Sequence, residues 1–159
     1  MPLSNPFEKA RSESTDAGRE NLLLVERLFE HLEAMNFDAV AELFHDQGLY
    51  RDEPNHDLDA VGPTAIAAKL DNGISGLNAF PMCVESIVAV ANRVMSVRAE
   101  EWHFPTGEML KLPVMAVHEI RDGKIDSWRE FWDMSSFISQ MPPSWMEVIT
   151  QRAAAAAEG

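Results

Sequence analysis

The chain has 159 residues, with 13 Lys plus Arg against 26 Asp plus Glu, a formal charge of −13. That length fits one domain, the 46% apolar share suffices for a core, and the missing cation clusters argue against a nucleic-acid surface. No run approaches the ~20 apolar residues of a membrane span, and the N-terminus lacks the basic start and apolar run of a signal peptide. The single cysteine, Cys83, cannot form an internal disulfide, which fits a reducing cytoplasm.

Residues 1–14 carry prolines, serines and mixed charges without periodicity, which predicts a flexible arm. Thr15 or Asp16 then caps a helix with Leu23, Leu24, Leu28, Leu32 and Met35 at helical spacing. Asn36 ends it, and Asp38 starts a short helix carrying Val40, Leu43 and Phe44. Gly48 to Asp52 reads as a brief strand closed by Pro54, and Asn55 to Asp59 as a loop. Gly62-Pro63-Thr64 opens a third helix, with proline where its missing N–H is harmless, and Asn72-Gly73 stops it.

From Pro81 the pattern changes to period two. Val84–Ala91, Val94–Phe104, Met109–Arg121 and Ile125–Asp133 are four strand candidates. They are joined at Ala91-Asn92-Arg93, at Pro105-Thr106-Gly107-Glu108 and at Asp122-Gly123, a strong hairpin signal. Ser144-Trp145-Met146-Glu147 is a capping box, so a last helix runs toward the alanine-rich tail. Helices segregated from a meander of strands predict an α+β fold with helices on one face of a curved antiparallel (mixed) sheet. The expected domain is 15–140, with 141–159 forming the C-terminal helix and tail.

Strand alternation converts spacing into shared faces. Arg98, Glu100 and Trp102 point one way, and Ala99, Glu101 and His103 the other. Asp126, Trp128, Glu130 and Trp132 share a face, opposite Ser127, Arg129, Phe131 and Asp133. If the face of Glu130 is interior, desolvation raises its pKa toward neutrality and makes it a general base or acid, with Arg98 as counter-ion and Glu100 on the other side. The alternative is a solvated charged face with two tryptophans covering a helix, and spacing alone leaves both open.

The stretch from Pro105 through Trp128-Arg129-Glu130-Phe131-Trp132-Asp133 resembles the second half of limonene-1,2-epoxide hydrolases, within the SnoaL-like group of the NTF2-like cone fold. The likeness extends over about residues 17–140, including Leu49-Tyr50-Arg51-Asp52-Glu53-Pro54. It implies that Glu130 activates water, Arg98 orients it, Glu100 is the acid, and Tyr50 with Asp52 holds the water. Glu130 and Glu100 replace aspartates, lengthening each arm by roughly 1.5 Å, and Asp52 replaces an amide. The connections flanking the Arg98 strand are a residue shorter than in the family, and a shifted register would turn Glu101 and His103 inward instead.

Among the other candidates, His45, Asp46, Asp52 and His56 match no metal-site spacing, and no metal is expected. His118 lies on the Leu110, Leu112, Val114, Ala116 face and reads as a core histidine. His103 is a reserve acid/base, and Trp102, Trp128, Trp132 and Met115 are candidate substrate contacts. The absence of a phosphate-binding glycine loop argues against nucleotide cofactors. The reading is a cofactor-free acid/base enzyme acting on a hydrophobic aromatic or terpenoid molecule, first as an epoxide hydrolase. The alternatives are a lyase, isomerase or cyclase that removes a substrate proton, including C–C cleavage of an aromatic diol, or a non-catalytic binding domain. The resemblance also implies a sheet-to-sheet homodimer.

Overall fold

A computed structural model describes residues 5–157. Helix α1 (Pro6–Glu13) precedes α2 (Asp16–Glu33) and α3 (Phe37–Glu42). Strand β1 (Phe44–Asp52), a 3-10 turn (His56–Leu58), β2 (Ala60–Val61) and α4 (Pro63–Ile74) follow. Then come β3 (Met82–Val90), β4 (Arg93–His103), β5 (Met109–Arg121), β6 (Lys124–Phe131), α5 (Met134–Gln140) and α6 (Pro143–Ala157). The six strands form one open sheet in the order β2-β1-β6-β5-β4-β3. Only β1 and β6 run parallel, so the sheet is mixed and the fold is α+β of the NTF2-like kind.

The expected arm is a helix from Pro6 to Glu13. Asn5 caps it by accepting from the Phe7 N–H at 2.9 Å, and Pro6 stands where no N–H is needed. Phe7 and Ala10 are buried, with Phe7 edge-on to Phe29 of α2 at 6.2 Å. Two buried residues in eight are too few for a visible period, so burial rather than propensity holds this helix. In α2 the buried stripe is Leu22, Val25, Leu28, Phe29 and Leu32, and Leu23 faces out at 44% exposure.

Strand β1 is longer than expected, reaching back to Phe44 with a register break before Leu49. Gly48 sits at that break, where a Cβ would lie 3.0 Å from the carbonyl oxygens of both His45 and Ile125. The β5–β6 hairpin turns on Asp122 and Gly123, both at positive φ, as a two-residue primed turn requires. Helix α4 runs one residue past Gly73, to Ile74. The fourth expected strand stops at Phe131, short of Asp133, because Asp133 accepts from the Ser136 N–H at 2.5 Å and caps helix α5. Among the described residues no helix is long and apolar enough to cross a membrane.

Phe7→Ala is expected to lower stability by about 2–3 kcal/mol, through lost burial and the cavity left against Phe29. Urea denaturation checks this, and an unchanged midpoint would fit a loose arm instead.

Candidate active site

The inner faces of three strands supply the polar groups. Arg98 and Glu100 come from β4, Trp128 and Glu130 from β6, and Tyr50 and Asp52 from β1, with Trp132 just beyond β6. Across the parallel β1–β6 pair, Tyr50 lies opposite Trp128 and Asp52 opposite Glu130. β4 and β6 are separated by β5, roughly 10 Å from axis to axis. On β5 the residues paired with Arg98 and Glu130 are Val114 and Ala116. Their short side chains leave room for the Arg and Glu arms to meet over the middle strand.

There the guanidinium Nη2 of Arg98 donates to Glu100 Oε1 at 2.5 Å and to Glu130 Oε1. Each glutamate keeps its second oxygen for another donor. The Tyr50 hydroxyl donates to Glu130 Oε2 at 3.2 Å, and the Trp102 indole N–H to Glu100 Oε2 at 3.1 Å. Arg98 is 1% exposed and both glutamates 5%, so the whole cluster is out of bulk water. Tyr50 stacks on Trp128 at 4.1 Å, which holds its ring in place.

Beside it lies a pair that the sequence reading missed in half. Asp52 accepts from the Trp132 indole N–H at 2.9 Å, and its other oxygen is 2.8 Å from Lys69 Nζ. Lys69 comes from α4 and also sits 4.0 Å from the centre of the Tyr50 ring. It is the one cation in the apolar-rich α4 sequence, and a lone lysine beside the buried Ile66 and Leu70 was the available signal.

All of these groups line one cavity of about 580 Å³. Its walls are apolar and aromatic, including Phe80, Trp102, Leu112, Phe137 and Ile149. Phe137 of α5 packs between Trp102 and Trp132, with ring centres 5.1 and 5.2 Å away. That contact was also invisible in the sequence, because residues 134–140 were assigned to no element. Among the described residues no three His, Cys, Asp or Glu side chains converge as metal ligands.

Three expected contributors lie elsewhere. Met115 is 54% exposed on the outer face of the sheet, because β5 alternates and the buried Leu112 and Val114 of the same strand define the inner side. The His103 side chain is 40% exposed and within 3.3 Å of Glu101, so neither faces the cavity and the shifted register is excluded. Asp126 is the unpaired residue of a bulge in β6 and turns to Arg121 at 2.6 Å instead of sharing the cavity with Trp128. His118 is fully buried, with Nδ1 donating to the Val94 carbonyl at 3.3 Å. Cys83 is exposed.

Burial pushes the Glu130 carboxyl up to about 7 against the pull of Arg98, with Glu100 and Asp52 adding to the rise. Burial opposes the charge on Arg98, but Glu130 and Glu100 outweigh it and keep the guanidinium ionised. Burial, then Asp52, Glu130 and Glu100, hold the Tyr50 phenol well above its ordinary range, so it remains a donor. Burial and then Arg98 pull His118 down to about 3, so its ring is neutral. Glu130 therefore holds its proton close to neutral pH.

The family model for the SnoaL-like domain matches residues 25–128. The chain belongs to the SnoaL-like family. This SnoaL-like protein is similar in structure to an LEH-like epoxide hydrolase from M. tuberculosis, with 20% identity, TM-score 0.65 and coverage of 88% of this chain and 96% of that one. A candidate SnoaL-like polyketide cyclase from Jannaschia sp. CCS1 has TM-score 0.72 at 18% identity, covering 82% and 98%. TerC, co-crystallised with polyporic acid, has TM-score 0.67 at 14% identity, covering 76% and 97%. At these identities the likeness establishes the fold alone.

Glu130 of this SnoaL-like protein binds its proton more tightly folded than at the unfolded value of 4.5. Its contribution to stability is thus full below that value and is lost as pH rises through about 7. His118 acts with opposite sign, contributing fully above 6.5 and losing that as pH falls toward about 3. Glu130→Gln is therefore expected to gain stability relative to wild type between pH 5 and pH 8. Urea melts at the two pH values check it, and a pH-independent difference would contradict the assignment.

Proposed function

We propose that this protein is an enzyme that performs general acid/base chemistry, without a cofactor, on a hydrophobic aromatic or terpenoid small molecule. The observation that carries the reading is the Glu100–Arg98–Glu130 bridge, buried in an aromatic-walled cavity with the Tyr50 hydroxyl on the Glu130 oxygen. A carboxyl near neutrality both takes and returns protons at physiological pH. The cavity walls suit a flat apolar body, and the few polar groups at one end fix its orientation.

The leading reaction is water addition to an epoxide. Tyr50 and Asp52 hold a water against Glu130, which removes its proton as the oxygen attacks an epoxide carbon. That C–O bond breaks, and the departing oxygen takes a proton from Glu100, giving a vicinal diol. Arg98 keeps both carboxyls aimed and offsets the charge that moves between them. The likeness to the LEH-like epoxide hydrolase supports this reading at the level of fold.

A second reading keeps the site and lets Glu130 take a proton from the substrate itself, as a lyase, isomerase or cyclase does. The near-neutral Glu130 suits it equally, and the fold is shared with a candidate polyketide cyclase. Incubation in oxygen-18 water separates the two. One labelled oxygen in a diol product fits hydrolysis, whereas solvent deuterium at a product carbon without added water fits proton abstraction. In either case Glu130→Gln should lower kcat by about 10³-fold or more, and the rate should rise with pH through about 7 as the base ionises. Tight binding with no turnover, unaffected by Glu130→Gln, would leave a binding domain.

The resting state is proposed to be a homodimer joined through the outer sheet face. Val88, Met95, Met115 and Phe131 all stand exposed there, at 40% or more. Sedimentation velocity of Met115→Lys should then show a monomer where wild type sediments as a dimer, and equal sedimentation of the two would contradict this.

A further inference from the structure

Lys69 has no part in the acid/base steps above, yet it is the second cation lining the cavity and is half-buried there. Its side chain is 16% exposed, and the Asp52 carboxylate that it meets at 2.8 Å is 12% exposed. Asp52 stands directly opposite Glu130 across the parallel β1–β6 pair. Lys69 also lies 4.0 Å from the ring of Tyr50, whose hydroxyl donates to Glu130. An unpaired Asp52 would be a third anion in a dry site and would oppose the ionisation of Glu130. An unpaired Lys69 would favour it.

We propose that Lys69 is a positioning residue whose pairing with Asp52 fixes the charge opposite Glu130, and with it the pH at which Glu130 gives up its proton. The claim deepens the acid/base reading of Glu130 and rests on it. The other groups facing Glu130 are few enough to name. They are Arg98 and Glu100 from β4, Asp52 and Tyr50 from β1, and the neutral His118 from β5 behind Arg98. At the mouth lie Asp57 and Asp59, and Asp59 is bound to Arg51 at 2.5 Å. Helices α5 and α6 contribute the apolar Phe137 and Ile149 to the lining. Among the residues that line the cavity, Lys69 is the one cation besides Arg98, and it meets neither glutamate, so it acts on Glu130 through Asp52 and Tyr50.

Carbon-13 NMR of the side-chain carboxyls reads this without any substrate, with Glu130→Gln supplying the assignment. Lys69→Met should move the Glu130 midpoint up by about one pH unit, and Asp52→Asn should move it down by a similar amount. The double variant, which removes both charges, should return to within about 0.3 unit of wild type if the two act only as a pair. Midpoints unmoved in the single variants, or moved in the same direction, would overturn the proposal. Asp52→Asn is nearly isosteric, so it carries the test if Lys69→Met does not fold. Shifted midpoints in a protein that turns over no substrate would uphold this coupling and sink the catalytic reading. Turnover with immovable midpoints would do the reverse.

Discussion

A single guanidinium nitrogen donating to two glutamates sets the terms for the rest of this structure. Two carboxyls cannot be buried side by side unless a cation or a proton offsets their repulsion, and here Arg98 meets both carboxyls while burial makes Glu130 hold its proton up to about pH 7. The bridge spans two strand spacings, which dictates small residues beneath it, and Val114 and Ala116 provide them. It also dictates donors for the outer carboxylate oxygens, and Tyr50 and Trp102 supply those from neighbouring elements. An arrangement of this kind holds its reactive groups in place before any ligand arrives.

The second ion pair repeats the same logic one strand away. Asp52 is met by Lys69 and by the Trp132 N–H, so each of Asp52, Glu100 and Glu130 has a cation and an aromatic donor. The aromatic rings therefore serve twice. Their faces line the apolar cavity, while their polar edges fix the acids that stand in its wall.

Much of this was legible from the chain alone, for reasons that can be named. Period-two alternation put Arg98 with Glu100 and Trp102, and Trp128 with Glu130, because in a half-buried sheet the pleat determines which neighbours meet. The Asp122-Gly123 turn fixed the β5–β6 hairpin through its need for positive φ. What escaped was decided by long-range contacts. Helix α1 is held by Phe7 on Phe29, and α5 by Phe137 between two tryptophans, and neither short segment carries a helical period of its own. Met115 was misplaced because an apolar residue on a sheet with one open face fits either side until its partners are known. Lys69 escaped because a lysine on a helix ordinarily points to water, and only the position of β1 shows that its amine meets Asp52.

The central claim is that two carboxyls and one guanidinium converge on the reacting atoms of an apolar ligand. A crystal structure with a bound apolar vicinal diol tests it most directly. The account predicts the diol inside the aromatic cavity, with one hydroxyl oxygen within hydrogen-bond distance of Glu130 and the other near Glu100. A diol seated elsewhere, with both glutamates turned away from it and hydrated, would contradict the account.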